Sequence, residues 1–234
     1  MMKFGGKLIL LDIEGTVSPL AFVHDVMFPY ARQHAGVHLA SHWGTAVMSE
    51  LARDAGVPAF ASPAEAEAAV HRLMDADAKV SGLKQLQGMI WQEGFRNGEL
   101  RSLIFDDVPP ALADWSRQGL EIRIYSSGSV HAQKLFFEHT KSGDLTPHFS
   151  GYYDTTTGSK RESVSYAAIA ADCGLPVDQI LFVSDLVEEL NAARNAGMLT
   201  VLALRPGNKP APPHEHPLVM SFAEIHIKIE PLVA

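Results

Sequence analysis

The stretch Lys7-Leu8-Ile9-Leu10-Leu11-Asp12-Ile13-Glu14-Gly15-Thr16 decides how the rest of the chain is interpreted. Its run of large aliphatic residues is short and is stopped by a glycine, which is typical of a strand buried on both faces of a parallel sheet. Ligands of such sheets bind at the carboxyl ends of the strands, where Asp12 stands. Asp and Gly are also ordinary turn residues, so this stretch alone favours a capped turn and a functional site about equally.

The composition limits the classes of protein to which the chain can belong. Its 234 residues can bury a substantial core, and 47% hydrophobic with 20% charged residues is ordinary for a globular protein. A net charge of -8 argues against nucleic acid as a general partner, because phosphate neutralisation needs a basic face. No apolar run is long enough to span a bilayer, and the single cysteine, Cys173, fits a reducing compartment. We therefore expect a cytoplasmic protein with neither a nucleic-acid nor a membrane partner.

Short apolar runs alternate with helical patterns in the second half of the chain. Such alternation predicts right-handed crossovers and an α/β fold, with a parallel sheet and helices on both of its faces. The predicted strands after the first are 121–125, 180–183 and 199–204, and the predicted helices between them are 111–118, 130–138, 162–173 and 186–195.

The long segment between the first strand and the later ones has a helical pattern throughout. Ser62-Pro63-Ala64-Glu65 is a typical helix start, with an N-cap serine and a proline in the first position. We therefore predict an α/β core formed by residues 1–17 and 109–234, with residues 18–108 as a helical insertion. The insertion begins directly after the carboxyl end of the first strand, which is the end at which ligands of parallel sheets bind. We therefore expect it to serve as a lid.

Polar residues follow the later predicted strands, as Asp12 follows the first. One strand ends in a serine-rich turn, a lysine precedes the helix 162–173, and another strand ends in an acidic residue. Taken singly, each of these features is weak, since serine turns, loop lysines and acidic helix starts are common. They are much stronger together, and the residues concerned are Ser126, Ser127, Lys160 and Asp185.

Phosphoryl transfer accounts for all of these residue types. Mg²⁺ prefers oxygen ligands and keeps several waters, so Asp12 and Asp185 would supply much of a site for one ion. A carboxylate such as Asp12 also serves as the nucleophile that forms an aspartyl-phosphate. Lys160 and the serine turn would neutralise charge on the transferred group. Glu14 would exchange a proton with the leaving oxygen, because alternation along a strand puts residues 12 and 14 on one side.

These elements resemble the signature of the haloacid dehalogenase superfamily of phosphohydrolases. The chain departs from that signature in Glu14, which replaces an aspartate, and in Ser184-Asp185, which replaces a pair of adjacent acids. Both departures resemble the enolase-phosphatases of methionine salvage, also called acireductone synthases. Further stretches that resemble this family are Phe22 to Tyr30, Lys84-Gln85-Leu86-Gln87-Gly88, Tyr125-Ser126-Ser127-Gly128-Ser129-Val130, Ala132-Gln133-Lys134-Leu135 and Arg205-Pro206-Gly207-Asn208.

The resemblance implies a Rossmann-like core with an inserted all-helical cap, and one monomeric enzyme that runs two steps. It would enolise 2,3-diketo-5-methylthiopentyl 1-phosphate and then remove the phosphate with one Mg²⁺, which yields the acireductone 1,2-dihydroxy-3-keto-5-methylthiopentene. Position by position, the implied roles are nucleophile and metal ligand for Asp12, acid/base and metal site (through the carbonyl) for Glu14, metal ligand for Asp185, and substrate binding for Ser126, Ser127 and Lys160.

Three other functions are compatible with parts of the pattern. A phosphatase of the same superfamily that acts on another small phosphate ester would use identical core chemistry. A dehalogenase is a poorer match, because carbon–halogen displacement needs neither a metal nor the Asp185 and Glu14 carboxylates. A catalytically silent phosphate- or metal-binding module would have no need for the complete set of reactive residues.

Overall fold

The computed structural model describes residues 2–228 and divides the chain into two compact units. One unit runs up to Ala21 and resumes at Arg101, and the other is Phe22–Leu100. Residue 1 and residues 229–234, which the predicted core includes, lie outside the described residues.

The compact helical unit Phe22–Leu100 is shorter at both ends than the insertion 18–108 that the sequence predicts. Ser18 Oγ donates a hydrogen bond to the carbonyl oxygen of Leu103 (2.7 Å), and the amide of Phe105 donates to the carbonyl of Val17 (3.1 Å). The two connecting segments therefore pair with each other inside the first unit, and the helical unit begins and ends closer to its own helices.

The first unit contains a parallel sheet, which confirms the predicted α/β fold. Within residues 2–228 the strands are β1 (Met2–Phe4), β2 (Leu8–Leu11), β3 (Glu121–Tyr125), β4 (Gly151–Tyr153), β5 (Ile180–Ser184), β6 (Leu199–Ala203), β7 (Leu218–Val219) and β8 (Ile225–Ile227). Six of them form one sheet in the order β4-β3-β2-β5-β6-β7, and β1 pairs with β8 separately. All of the pairings are parallel.

Strand β2 lies in the middle of the six-stranded sheet and is fully buried. None of its four aliphatic side chains is exposed, as its uninterrupted apolar pattern predicts. Leu11 is in register with Ile124 of β3 and with Val183 of β5. The carboxyl ends of these three neighbouring strands therefore meet at one edge of the sheet.

The helices are α1 (Leu20–Phe22), α2 (Phe28–Ser41), α3 (Ala46–Asp54), α4 (Pro63–Asp75), α5 (Ser81–Arg96), α6 (Val108–Arg117), α7 (Val130–Glu138), α8 (Ser163–Cys173) and α9 (Val187–Asn195), with a π-helical turn at Val23–Met27. Helix α7 covers the predicted residues. Helix α8 ends at Gly174, whose φ of 64° is the left-handed conformation that glycine adopts without strain.

The unit Phe22–Leu100 contains helices and no strand, all of its residues being described. Ser62 accepts a hydrogen bond from the amide of Glu65 (3.2 Å) and so caps α4, as predicted. Helices α2 and α4 approach closely at Gly36, where a Cβ would collide with the carboxylate of Glu67. No helix in the described part of the chain is long and apolar enough to cross a membrane.

Candidate active site

Asp12 and Lys160 form a buried ion pair at the carboxyl edge of the sheet. Asp12 follows β2 directly, and its amide donates to the carbonyl of Val183 (3.0 Å). Lys160 Nζ lies 2.5 Å from Asp12 Oδ1, although 148 residues separate the two in the chain. The hydroxyl of Tyr166 donates to the carbonyl of Lys160 (2.7 Å) and holds its loop. Structure thus brings together two of the predicted site residues.

Glu189 is a third member of this group, and the sequence interpretation gave it no role. Its Oε2 lies 2.7 Å from Lys160 Nζ and accepts a hydrogen bond from Ser184 Oγ (3.0 Å). Burial alone lowers the pKa of the Lys160 ammonium, but Asp12 and Glu189 outweigh this effect and the pKa is raised. Lys160 therefore stays charged and bridges two carboxylates.

Asp185 lies beside this bridge and has fewer hydrogen-bond partners than Asp12 or Glu189. Burial, together with the negative charges of Asp12 and Glu189, raises its pKa from 3.8 to about 7, against a lowering effect of Lys160. Its Oδ1 is buried and has no hydrogen-bond partner among the described residues. We call Asp12, Lys160, Asp185 and Glu189 the charged centre.

A tight turn after Asp12 positions its carboxylate. The carbonyl of Ile13 accepts hydrogen bonds from three amides that follow it, and the hydroxyl of Thr16 donates to Asp12 Oδ2 (3.1 Å). Gly15 has a φ of 76°, and a Cβ at this position would collide with the Asp185 carboxylate. The positive φ and the lack of room for a Cβ together explain why the residue after Glu14 is a glycine.

Glu14 lies in this turn and not on the strand. Strand β2 ends at Leu11, so the alternation of strand side chains, on which residues 12 and 14 were expected to share a side, does not extend to Glu14. Asp12 is buried, whereas Glu14 is exposed and its backbone forms a β-bridge with Ser18. The acid/base and metal roles of Glu14 stay predictions.

The loop after β6 holds the same turn from the other side. Arg205 Nε donates to the carbonyl of Thr16 (3.0 Å), and Asn208 Nδ2 donates to the carbonyl of Gly15 (2.9 Å). Arg205 is itself fixed by a partly buried ion pair with Asp107 (2.8 Å). From the sequence, the stretch Arg205-Pro206-Gly207-Asn208 could only be said to resemble a stretch of the enolase-phosphatases. Its structural role was not predicted, because its contacts are with a segment nearly two hundred residues earlier.

The serine loop (residues 126–129) connects β3 to α7. Ser126 is buried and Ser127 is exposed, and Ser129 caps α7 by accepting from the amide of Ala132 (3.2 Å). Gln133 Nε2 donates to the carbonyls of Gly128 (2.7 Å) and Tyr153 (2.9 Å) and so ties the loop to the end of β4. The substrate-binding role of Ser126 and Ser127 remains a prediction.

Comparisons with known proteins show which family the chain resembles. A family model described as haloacid dehalogenase-like hydrolase matches residues 7–197. The chain is 46% identical to Enolase-phosphatase E1 of Pseudomonas aeruginosa strain LESB58, with 95% of this chain and 99% of that protein covered. It is 43% identical to Enolase-phosphatase E1 of Aquifex aeolicus, with 94% and 99% covered.

The chain belongs to the enolase-phosphatase E1 family. The resemblance inferred from the sequence motifs is therefore confirmed. The crystal structure of the UTR4 protein from Saccharomyces cerevisiae is similar as well, with a TM-score of 0.80, 34% identity, and 94% of this chain and 100% of that chain covered.

The charged centre of this enolase-phosphatase family member has the chemistry of a cation site. Two carboxylates pair with one ammonium, and a third carboxylate nearby, that of Asp185, has an unpartnered buried oxygen and a raised pKa. No three His, Cys, Asp or Glu side chains within residues 2–228 are arranged to hold a metal by themselves. Mg²⁺ does not need such a set, since two carboxylates, a backbone carbonyl and waters satisfy it. The residues present therefore fit Mg²⁺.

Proposed function

We propose that this enzyme enolises 2,3-diketo-5-methylthiopentyl 1-phosphate and then removes its phosphate, as a step of methionine salvage. The observation that carries the proposal is the buried contact of Asp12 with Lys160 beside the unpartnered oxygen of Asp185. A nucleophile, a fixed positive charge and a cation ligand at one edge of a parallel sheet are the parts that phosphoryl transfer requires. The substrate follows from the family resemblance and agrees with the name of the relatives.

Asp12 is the proposed nucleophile of the phosphatase step. One of its carboxylate oxygens attacks phosphorus, the bond from phosphorus to the substrate oxygen breaks, and an aspartyl-phosphate forms. Lys160 and Thr16 donate to the two oxygens of Asp12, so the carboxylate is held in a single orientation before it reacts. Water then cleaves the aspartyl-phosphate, which releases inorganic phosphate and regenerates Asp12.

Charge on the phosphoryl group is neutralised by donors of the chain. Lys160 is charged and buried, so its ammonium acts at a low local dielectric. Ser126 and Ser127 lie after β3, the strand that neighbours β2, and offer hydroxyl and amide donors to phosphate oxygens. Asp12, Asp185 and the carbonyl of Glu14 would hold a single Mg²⁺, which would supply further positive charge to stabilise the transferring phosphoryl group.

Glu14 is the proposed proton carrier. As the phosphorus–oxygen bond breaks, its carboxylic acid protonates the leaving enolate oxygen, and its carboxylate then accepts a proton from the attacking water. The exposed position of Glu14 lets its side chain exchange protons with solvent between the two steps. Glu14 is also our choice for the base that removes the carbon-bound proton during enolisation.

We further propose that the unit Phe22–Leu100 is the cap of the enzyme and that the enzyme acts as a cytoplasmic monomer. The absence of strands from this unit, its position in the chain after β2, and the single cysteine of the sequence support these proposals.

The purified protein tests the proposed function directly. We expect enol absorbance to rise and inorganic phosphate to follow when the diketone phosphate is added with Mg²⁺, and we expect phosphate release to stop with a chelator. A panel of other small phosphate esters serves as the control for substrate identity. Equal rates on the panel would contradict the proposed substrate, and phosphate release that survives the chelator would contradict the Mg²⁺ site.

A further inference from the structure

Two buried oxygens beside Gly15 have no hydrogen-bond partner among the described residues. They are Asp185 Oδ1 and Asn208 Oδ1. A Cβ placed on Gly15 would collide with Oδ2 of Asp185 and would lie 3.2 Å from Asn208 Oδ1. The Asp185 carboxylate and the Asn208 amide oxygen therefore lie on the same side of Gly15, and a buried acceptor without a partner is unfavourable.

The orientation of the Asn208 amide is determined by its neighbours. Its nitrogen donates to the carbonyl of Gly15 (2.9 Å) and to the carbonyl of Ala203 (3.3 Å). An oxygen in that position would face two acceptors, so the amide cannot be reversed. The amide oxygen, Asn208 Oδ1, consequently faces the same side of the turn as the Asp185 carboxylate. It is a hydrogen-bond acceptor without a formal charge.

We propose that Asn208 is a positioning residue for the cation site of this enzyme. Its Oδ1 accepts a hydrogen bond from a water of the Mg²⁺ hydration shell, while its Nδ2 holds the turn that carries Asp12. This inference rests on the proposed Mg²⁺-dependent function. Mg²⁺ keeps several of its waters when carboxylates bind it, and a fixed acceptor orients such a water in the way that outer-shell residues commonly orient ligands of a metal.

Substitutions at Asn208 can separate the role of the amide oxygen from that of the amide nitrogen. Asn208→Ala removes the acceptor and the donor together. Asn208→Asp keeps an oxygen in the place of Oδ1, but its second oxygen replaces the donor and faces the carbonyls of Gly15 and Ala203. If Asn208 served only to hold the turn, Asn208→Asp would therefore bind Mg²⁺ no more tightly than Asn208→Ala. A matched control is Asn191→Ala, since Asn191 is half-buried in the same unit and its Oδ1 pairs with His216, not with the nucleophile turn.

Calorimetric titration with Mg²⁺, in the absence of substrate, measures the effect without depending on turnover. We expect Asn208→Ala to raise the Kd for Mg²⁺ about 10–100-fold. We expect Asn208→Asp to bind Mg²⁺ more tightly than Asn208→Ala, and Asn191→Ala to match the wild type. Circular dichroism and thermal unfolding verify that each variant is folded, and if Asn208→Ala does not fold, Asn208→Leu takes its place.

The results that would overturn the inference are specific. Asn208→Ala that binds Mg²⁺ as tightly as the wild type, or Asn208→Asp that binds it no more tightly than Asn208→Ala, would each exclude the acceptor role. Either result leaves the proposed function intact, because the wild type would still bind Mg²⁺ and release phosphate. A wild type that does not bind Mg²⁺ at all would overturn the proposed function together with this inference.

Discussion

The charged centre and the serine loop are built in different ways. In the charged centre, side chains from distant segments hold one another, as Lys160 holds both Asp12 and Glu189. In the serine loop, most contacts are local, such as Ser129 with the amide of Ala132, and Gln133 holds the backbone. The charged centre thus depends on mutual electrostatic compensation, whereas the serine loop depends on the shape of a turn.

This difference predicts separate consequences of substitution in the two regions. A change in the charged centre leaves a buried charge uncompensated, so it affects stability, cation binding and chemistry together. A change that loosens the serine loop affects the fit of the phosphate and leaves the reacting groups in place. The following predictions test that separation, beginning with the largest expected effect.

Asp12→Asn tests the charged centre at its nucleophile. The amide keeps an oxygen for Lys160 but attacks phosphorus poorly, so we expect phosphate release to fall by about 10⁴-fold or more. Phosphate release at saturating substrate measures the change, and thermal unfolding serves as the control for folding. Release at the wild-type rate would exclude the covalent mechanism.

Lys160→Met tests mutual compensation within the charged centre. The substitution leaves Asp12 and Glu189 buried without their ammonium, so we expect the free energy of unfolding to fall by about 3–5 kcal/mol. We also expect the rate of phosphate release to fall about 10²–10³-fold, because a fixed positive charge is lost. Urea unfolding measures the first effect, with the exposed Lys84→Met as a matched control. Equal stability of both variants would contradict the compensation that we describe.

The raised pKa of Asp185 predicts a pH dependence of stability in protein without Mg²⁺. The folded state keeps a proton on Asp185 up to a pH of about 7, whereas the unfolded chain loses it near 3.8. The folded state therefore binds more protons between these values, and stability falls as the pH rises through this window, by roughly 4 kcal/mol at most. Glu189, whose pKa is also raised by burial, contributes with the same sign.

Urea unfolding between pH 4 and pH 8 measures this dependence. Asp185→Asn should flatten the curve, and saturating Mg²⁺ should flatten it for the wild type, since the cation favours the ionised carboxylate. A slope for Asp185→Asn that equals the wild-type slope would show that another group titrates.

Gln133→Ala tests the serine loop and should have the smallest effect. The variant loses the hydrogen bonds to the carbonyls of Gly128 and Tyr153, so we expect KM to rise roughly tenfold with little change in kcat or in Mg²⁺ affinity. Steady-state kinetics provide the measurement. Gln118→Ala, which removes a hydrogen bond to Asp114 on α6, is the matched control. A fall in kcat at constant KM would contradict the division between the two regions.

The sequence predicted the elements that depend on local signals. Residues 121–125 and 130–138 have the predicted strand and helix over their full length, because charged and apolar residues alternate at the start of β3 and Ser129 caps α7. Strand β4 was not predicted, since it has only three residues, begins with Gly151 and lies at the edge of the sheet. Signals that are short or shared with loops are too weak to predict a strand.

The residues of the candidate site also differed in how strongly the sequence indicated them. Asp12 was found from its place after β2, and Lys160 from a weak loop signal that only the whole constellation strengthened. Glu189 was seen as an acidic helix start but received no role, because its partner Lys160 lies in a different loop. Strand alternation does not describe the position of Glu14, because the strand ends at Leu11 and Glu14 lies in a turn that hydrogen bonds to Ile13 create. Long-range pairing and the end of a strand inside a turn are set by tertiary contacts.

Rapid acid quenching during turnover tests whether Asp12 carries the phosphoryl group as an aspartyl-phosphate. Enzyme mixed with the diketone phosphate and Mg²⁺ is quenched within the first turnovers, digested, and analysed by mass spectrometry for covalently bound phosphate. We predict that the phosphate mass is found on Asp12 in the wild type and is absent from Asp12→Asn. Phosphate on another residue, or phosphate release by Asp12→Asn at the wild-type rate, would contradict the account.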